Sequence, residues 1–411
     1  MVEVVVTGVG LISDLGNLES TWKSLIAGKS GIIPRQLFPE LPTFPIALIG
    51  NTPTNLTNIT EVVVASALKD AGLLPPLIDC GVVIGSSRSC QASWEELARQ
   101  FYSSGQQQLG YQDTASSNSV LSLCSIAQEN TIRLEHWLDT LPNRAAIATA
   151  RQISSTAPVL APMAACATGI WAIAQAYNLI QTGQCQRVIA GAVEAAITPL
   201  TLAGFDKMGA LAKTGAYPFD KYREGLVLGE GGAVFVLETA ELAQRRKAKI
   251  YGQVLGFGLT ADAYHVCATE PIATSAIAPA RRKAAVAAVK QCLERSKLSP
   301  MDIDYIHAHG TATQLNDQHE AQLIKYLFPQ GVPVSSTKGA TGHTLGASGA
   351  LGVAFCLMAM KSNLLPPCVG LTAPEFDLDF VTVAQSREVE KVLCFSFGFG
   401  GQNAVVALSK R

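Results

Sequence analysis

Ala161-Pro162-Met163-Ala164-Ala165-Cys166-Ala167-Thr168-Gly169 is the stretch on which the reading of this chain turns. The residues ahead of Cys166 read as a buried strand, and Ile170 to Ile180 carry apolar side chains at helical spacing. The thiol therefore falls on a strand-to-helix turn, at a helix N-terminus. There the unpaired backbone N–H groups and the helix dipole favour a thiolate, which predicts a pKa below the free value of about 8.5. The same turn leaves backbone amides free to point at an oxyanion. A cysteine so placed suits an acyl group carried on sulfur; the plainer reading is a small buried thiol used as core filler.

Outward from that turn, short apolar strands alternate with longer helical patterns along the whole chain. Strands are predicted at Val4–Val6, Gly81–Ile84, Val188–Ala190, Val234–Leu237, Tyr305–His307 and Val392–Phe395. Helices are predicted at Ile59–Ala71, Trp94–Phe101, Cys166–Thr182, Pro279–Arg295, Asp317–Leu327 and Leu345–Lys361. The alternation predicts an α/β fold with mostly parallel, covered sheets. The charged run Glu241 to Lys249 marks a junction, dividing the chain into residues 1–245, with the cysteine, and residues 246–411. The halves have similar grain without a clean sequence repeat.

With 411 residues, 48% apolar and 15% charged, the chain can bury a large core. A net charge of −1 offers neither a basic stripe for nucleic acid nor a polybasic membrane anchor. The longest apolar stretch, Leu345 to Met360, is interrupted by Ser348 and by Gly346, Gly349 and Gly352, which fits a buried helix better than a membrane span. The chain enters a strand almost at once, without a secretory leader, and its ten cysteines form no Cys-x-x-Cys pair. Reduced thiols in the cytoplasm are the expectation.

Two histidines accompany the cysteine. His309 follows the strand ending at His307 and precedes Gly310; His343 follows Gly342, just ahead of the helix from Leu345. Each alone reads as a satisfied core histidine. Two on glycine-flanked turns, with a thiol, are what acyl transfer on sulfur requires: the sulfur attacks, and imidazoles exchange protons or donate to developing oxyanions. Zinc is set aside because no ligand pair has the close spacing of structural sites. Gly8-x-Gly10-x-x-Ser13 lacks the third glycine of a dinucleotide fingerprint and is also rejected.

These segments together resemble the β-ketoacyl-acyl carrier protein synthases, condensing enzymes of the thiolase superfamily, and most nearly the synthase II type. The matching pieces are Val5–Gly10, Ala164–Gly169, Gly191–Pro199, Pro218–Asp220, Gly229–Gly231, His309–Thr311, Asn316–Asp317, Lys338–His343 and Ser396–Gly401, in the family's order. The resemblance implies a five-layered αβαβα fold of two related halves and a homodimer. It implies a decarboxylating Claisen condensation between malonyl and acyl thioesters, both borne by acyl carrier protein. No metal or other cofactor is implied, since the phosphopantetheine arm arrives on the carrier. By the same resemblance Cys166 is the nucleophile, and His309 and His343 bond the malonyl thioester oxygen. The amides of Cys166 and Phe399 form the oxyanion hole, with Phe399 also the gate of the acyl pocket. Lys338, paired with Glu320, holds His343 in place; Thr311 and Thr313 meet the pantetheine arm, and Phe397 lines the substrate side. For Phe399 the plainer reading is a packed aromatic; for the threonines it is turn capping.

The residues choose within the superfamily. Degradative thiolases carry a second catalytic cysteine near the C-terminus, where this chain has Phe397 and Phe399, and synthase III enzymes use a histidine and an asparagine. A non-catalytic partner subunit would have replaced Cys166. That alternative, and an acyltransferase or hydrolase on the same Cys-His-His set, remain the rival functions.

Four departures from the family pattern stand out. Thr52–Asn58 replaces a longer basic segment, and the loop from Leu211 to Pro218 is short, leaving Lys213 to stand in for carrier contacts. Ser86-Ser87-Arg88-Ser89-Cys90 replaces a Gly-Ile-Gly-Gly turn beside the acyl tunnel. An inward Arg88 would oppose a long saturated chain; the usual exposure of arginine predicts that it turns outward. His307 stands where the family often has asparagine, and no role is assigned to it.

Overall fold

The computed structural model describes residues 2–109, 137, 140–262 and 283–411. Ten strands form one continuous path: β1 (Val4–Ser13), β2 (Gly81–Gly85), β3 (Val159–Leu160), β4 (Arg187–Glu194), β5 (Gly231–Thr239), β6 (Gly252–Ala261), β7 (Tyr305–His307), β8 (Val334–Ser335), β9 (Lys391–Gly398) and β10 (Gln402–Ser409). The spatial order is β3-β2-β4-β5-β1-β6-β10-β9-β7-β8, with a short Gly16–Asn17 strand beside β1. Counted from β1 and from β6, each set of five runs first, fifth, fourth, second, third, with two antiparallel pairings followed by two parallel ones. Val4–Val6 against Gly252–Val254 joins the two sets, again antiparallel.

The expected mostly parallel sheets are thus corrected to mixed sheets, parallel only at their outer ends. The cause is local. β9 reaches β10 through the three-residue turn Phe399–Gly401, and so short a link can join only antiparallel neighbours.

Helices α1 (Leu56–Ala71) and α2 (Arg144–Ile153) cover the outer face of the first sheet. α3 (Thr168–Gln181) and α6 (Ser348–Ser362) pack against each other between the two sheets, and α4 (Lys283–Ser296) and α5 (Gln314–Leu327) cover the second sheet. This is the five-layered αβαβα arrangement. Alternation along the strands feeds both faces: Phe235 and Leu237 of β5 join the central core while Val234 and Val236 face α1. The expected Leu345–Lys361 helix is a 3-10 turn at Leu345–Ala347 continued by α6. Its mean hydropathy of 1.4 over Leu345–Ser362 would suit a bilayer, yet 89% of that stretch is buried between the sheets.

The strand expected before Cys166 is only the two-residue, partly exposed edge strand β3, and the helix after it begins at Thr168 instead of Cys166. Of the helix expected at Pro279–Arg295, Pro279 to Arg282 lie outside the described residues.

Candidate active site

The ends of four strands converge where the sheets meet. Past β3 the chain turns sharply: Ala165 takes φ +47°, the left-handed region, and Thr168 Oγ1 clamps the turn by accepting from the Ala164 amide (2.9 Å) and donating to the Ala165 carbonyl (2.7 Å). The Cys166 carbonyl accepts from Ser396 Oγ of β9 at 2.8 Å. Past β7 comes His309; past β8 come Lys338 and His343; past β9 come Phe397 and Phe399. The three expected reactive groups meet: Cys166 Sγ and one ring nitrogen of each of His309 and His343 lie within 4.8 Å of one another. All three are buried, with the imidazoles edge-on at 5.3 Å between centroids. Such a cluster could also close on a soft divalent ion, so distance along the chain argues only against a local ligand pair.

The partners of each imidazole set its tautomer. His343 Nδ1 accepts from the Leu345 amide (3.1 Å) and contacts Ser348 Oγ (2.8 Å). His309 Nδ1 faces Lys338 Nζ at 3.4 Å, and the same ammonium donates to the His309 carbonyl. With both Nδ1 atoms accepting, both Nε2 atoms carry hydrogen. Burial, with Lys338 as a further cause, holds both imidazoles well below the usual histidine value, so they are neutral. The pair therefore presents two neutral N–H donors.

Glu320 and Lys338 act differently from expectation. The carboxylate accepts from the amides of His309 (2.6 Å) and Gly310 (2.7 Å), while the ammonium goes to the His309 carbonyl and ring. Both charges converge on the His309 turn; His343 is held instead by Ser348, a residue the sequence showed only as an interruption in an apolar helix. Burial raises the Glu320 carboxyl and lowers the Lys338 ammonium, as expected of opposite charges taken from water.

The expected low thiol pKa is not met in the resting site. Burial pushes Cys166 up to about 11; Lys338, the Phe399 amide and Arg88 pull it down without overcoming desolvation. At rest the sulfur is a thiol. The Phe399 amide points at that sulfur, and Gly398 makes this approach possible: a Cβ there would lie 3.0 Å from the Cys166 nitrogen. Phe399 stacks on Phe205 (5.9 Å, 28°) beside Cys166.

A cavity of about 330 Å³ adjoins the thiol, lined by Cys166, His309, His343, Thr311, Thr313, Phe397 and Phe399. The two threonine hydroxyls bond each other at 2.9 Å, and Thr313 caps α5. Arg88 is partly exposed instead of turned fully outward. Its guanidinium lies over the Phe205 ring, 5.5 Å from the centroid, because buried Glu194 pins the backbone of its turn. His307 is buried, with Nε2 3.1 Å from Thr337 Oγ1 and Nδ1 facing Cys394 Sγ at 3.8 Å.

Comparison with known proteins gives the same picture along the whole chain. The beta-ketoacyl synthase N-terminal domain matches residues 56–243 and the beta-ketoacyl synthase C-terminal domain residues 251–372. The chain is 34% identical to 3-oxoacyl-[acyl-carrier-protein] synthase 2 of Synechocystis sp. over 439 residues, covering 99% of this chain and 98% of the relative. It is 32% identical to the protein of the same name from Coxiella burnetii, at 99% and 98% coverage. Among solved structures it is similar to a chain of a type II PKS acyl-carrier protein in complex with its ketosynthase bound to the hexaketide (TM-score 0.87, 25% identity, all of both chains). It is also similar to a chain of the ishigamide ketosynthase/chain length factor (TM-score 0.85, 25% identity, 100% of this chain and 99% of that one).

Proposed function

This chain belongs to the β-ketoacyl synthase family, and on that premise we propose how its residues carry out the condensation. The enzyme is an acyltransferase that joins a malonyl unit to an acyl chain held on Cys166, with loss of carbon dioxide. The observation that carries the reading is the meeting of one thiol with two neutral imidazoles, each presenting Nε2–H.

The acyl thioester of a carrier protein's pantetheine enters along the cavity. Cys166 sulfur attacks its carbonyl carbon, and the resulting oxyanion lies between the Cys166 and Phe399 amides. The pantetheine sulfur leaves and ends with the proton that Cys166 gave up, so a thiol enters and a thiol departs. Because Cys166 is protonated at rest, the proton must shift as the sulfur attacks. Malonyl thioester then binds with its carbonyl oxygen facing both Nε2–H donors. As carbon dioxide departs, its bonding pair becomes an enolate whose oxygen those donors stabilise. The enolate carbon attacks the acyl-Cys carbonyl, the carbon–sulfur bond breaks, and the released thiolate takes a proton from solvent.

The further roles belong to this reading. Lys338 and Glu320 position the His309 turn, Thr311 and Thr313 meet the pantetheine, and Phe397 borders the malonyl side. The carrier supplies the only prosthetic arm required. A homodimer is proposed because Leu160 of edge strand β3 and nearby Met163 lie exposed, and a second copy would cover them. A cytoplasmic, reducing setting suits Cys80, Cys166, Cys185, Cys292, Cys356, Cys368 and Cys394, which are buried free thiols. Division at 245/246 is supported by the repeated strand order of the two sheets.

The test is intact-mass analysis of the protein with acyl-carrier thioesters, then malonyl-carrier protein. Acylation lost in Cys166→Ala, followed by a β-ketoacyl product, is expected. His309→Ala and His343→Ala should still acylate while losing condensation by about 100-fold or more, the usual consequence of removing an oxyanion donor. Acylation followed only by release of free acid would overturn condensation in favour of hydrolysis, and no acylation would leave a non-catalytic partner subunit.

A further inference from the structure

Arg88 is partly exposed and stands on a turn held by a carboxylate that does not pair with its guanidinium. The turn after β2 hangs on the fully buried Glu194, whose carboxylate accepts from Ser86 Oγ (2.7 Å), Ser87 N (2.8 Å), Ser87 Oγ (2.5 Å), Arg88 N (2.9 Å) and, across the halves, Gly346 N (2.9 Å). That carboxylate is spent on the turn. It fixes the Arg88 backbone and sends the side chain over Phe205, itself 2% exposed. Phe205 stacks on Phe399, whose amide faces the Cys166 sulfur. The order from the reactive atom is therefore Cys166, Phe399, Phe205, Arg88. Phe205 lines the cavity that holds the Cys166 sulfur and the guanidinium lies on that ring, so an acyl chain filling the apolar cluster of Phe205, Ile197 and Leu202 would end beside it.

Among the described residues that guanidinium has no carboxylate or carbonyl partner, and it lies over the face of the Phe205 ring. A terminal methyl pressed there would desolvate donors without replacing their bonds. A carboxylate would match the planar fork with two charge-assisted bonds. We propose that the acyl pocket accepts short acyl chains ending in a carboxylate, with Arg88 as the residue that binds that end. The inference rests on the reading of Cys166 as the acyl carrier.

The two are separated by acylating the whole protein with small N-acetylcysteamine thioesters and reading intact mass against time. Adipyl and hexanoyl thioesters match in length and differ in the terminal carboxylate; a decanoyl thioester probes a long saturated chain. The wild type should acylate from the adipyl thioester at least about tenfold faster than from the hexanoyl one, and slowest from decanoyl. Arg88→Ile should erase or invert the adipyl preference, Arg88→Lys should keep part of it, and circular dichroism checks that both fold. Equal rates, or a hexanoyl or decanoyl preference, would overturn the proposal while leaving Cys166 as the acyl carrier. An adipyl preference unchanged in Arg88→Ile would also overturn it. Failure of every thioester to acylate Cys166 would overturn the underlying reading as well.

Discussion

At the scale of single residues, burial outweighs local helix electrostatics, and two groups make this measurable. Cys166 sits where a helix dipole favours a thiolate, yet desolvation sets its pKa near 11. Iodoacetamide alkylation of the resting enzyme should therefore keep accelerating as pH rises beyond 9, and Lys338→Met should slow it further by removing a nearby positive charge. A plateau below pH 8 would show that the dipole wins. Asp14 is the second. Its carboxylate oxygens are buried without a well-formed hydrogen bond, and desolvation raises its pKa from 3.8 to about 7. The folded chain thus holds a proton that the unfolded chain has lost, and stability falls as pH rises from about 4 to about 7. Asp14→Asn should stabilise the protein by about 1–3 kcal/mol at pH 8, with the gain vanishing near pH 4. Thermal melts at the two pH values check this, and an equal effect at both would contradict it.

At the scale of elements, the site depends on how closely α3 and α6 approach. A Cβ on Gly169 would lie 2.5 Å from the Ala350 nitrogen, so glycine lets the helix that follows Cys166 settle against the helix that follows His343. Gly169→Ala should cost about 1–3 kcal/mol by overpacking and lower condensation more than a stability loss alone would, because it moves the thiol away from the imidazoles. Urea titration and acylation rate together test this; unchanged stability would show that the helices have room to give. The same close packing governs what could be read from the sequence. Cys166, His309 and His343 were legible because each stands beside glycine or alanine at a strand end. β6 was not: Gly252, Gly256 and Gly258 dilute its strand pattern, and they are there because Ser409, α4 and Ala288 crowd it. Nor could the sequence show that Ser348 holds His343, or that Lys338 and Glu320 act on His309, because those contacts form only when β7, β8 and α6 are brought together. Nor could it show that Glu194, 106 residues away, holds the backbone of the Arg88 turn.

At the scale of the whole molecule, two sheets of the same strand order share one interior. The central core joins Val6, Val9 and Phe235 from the first sheet with Cys394, Val406 and Leu408 from the second, and α3 and α6 lie between them. Neither sheet could keep its inner face covered without the helix that the other half contributes. Exposing those side chains on separation would cost about 1.5–3 kcal/mol for each large one, so partial unfolding of one half is strongly disfavoured. The thiol–imidazole cluster follows the same division, with Cys166 from the first half and both histidines from the second. Although each half matches its own family domain, heat should therefore unfold the protein in a single cooperative step. Scanning calorimetry should give one peak whose calorimetric and van't Hoff enthalpies agree, and loss of acylation capacity should track it. Two resolved transitions would mean that the central helices can part while each sheet stays folded, and acylation would then fail at the lower one, where the thiol leaves its imidazoles.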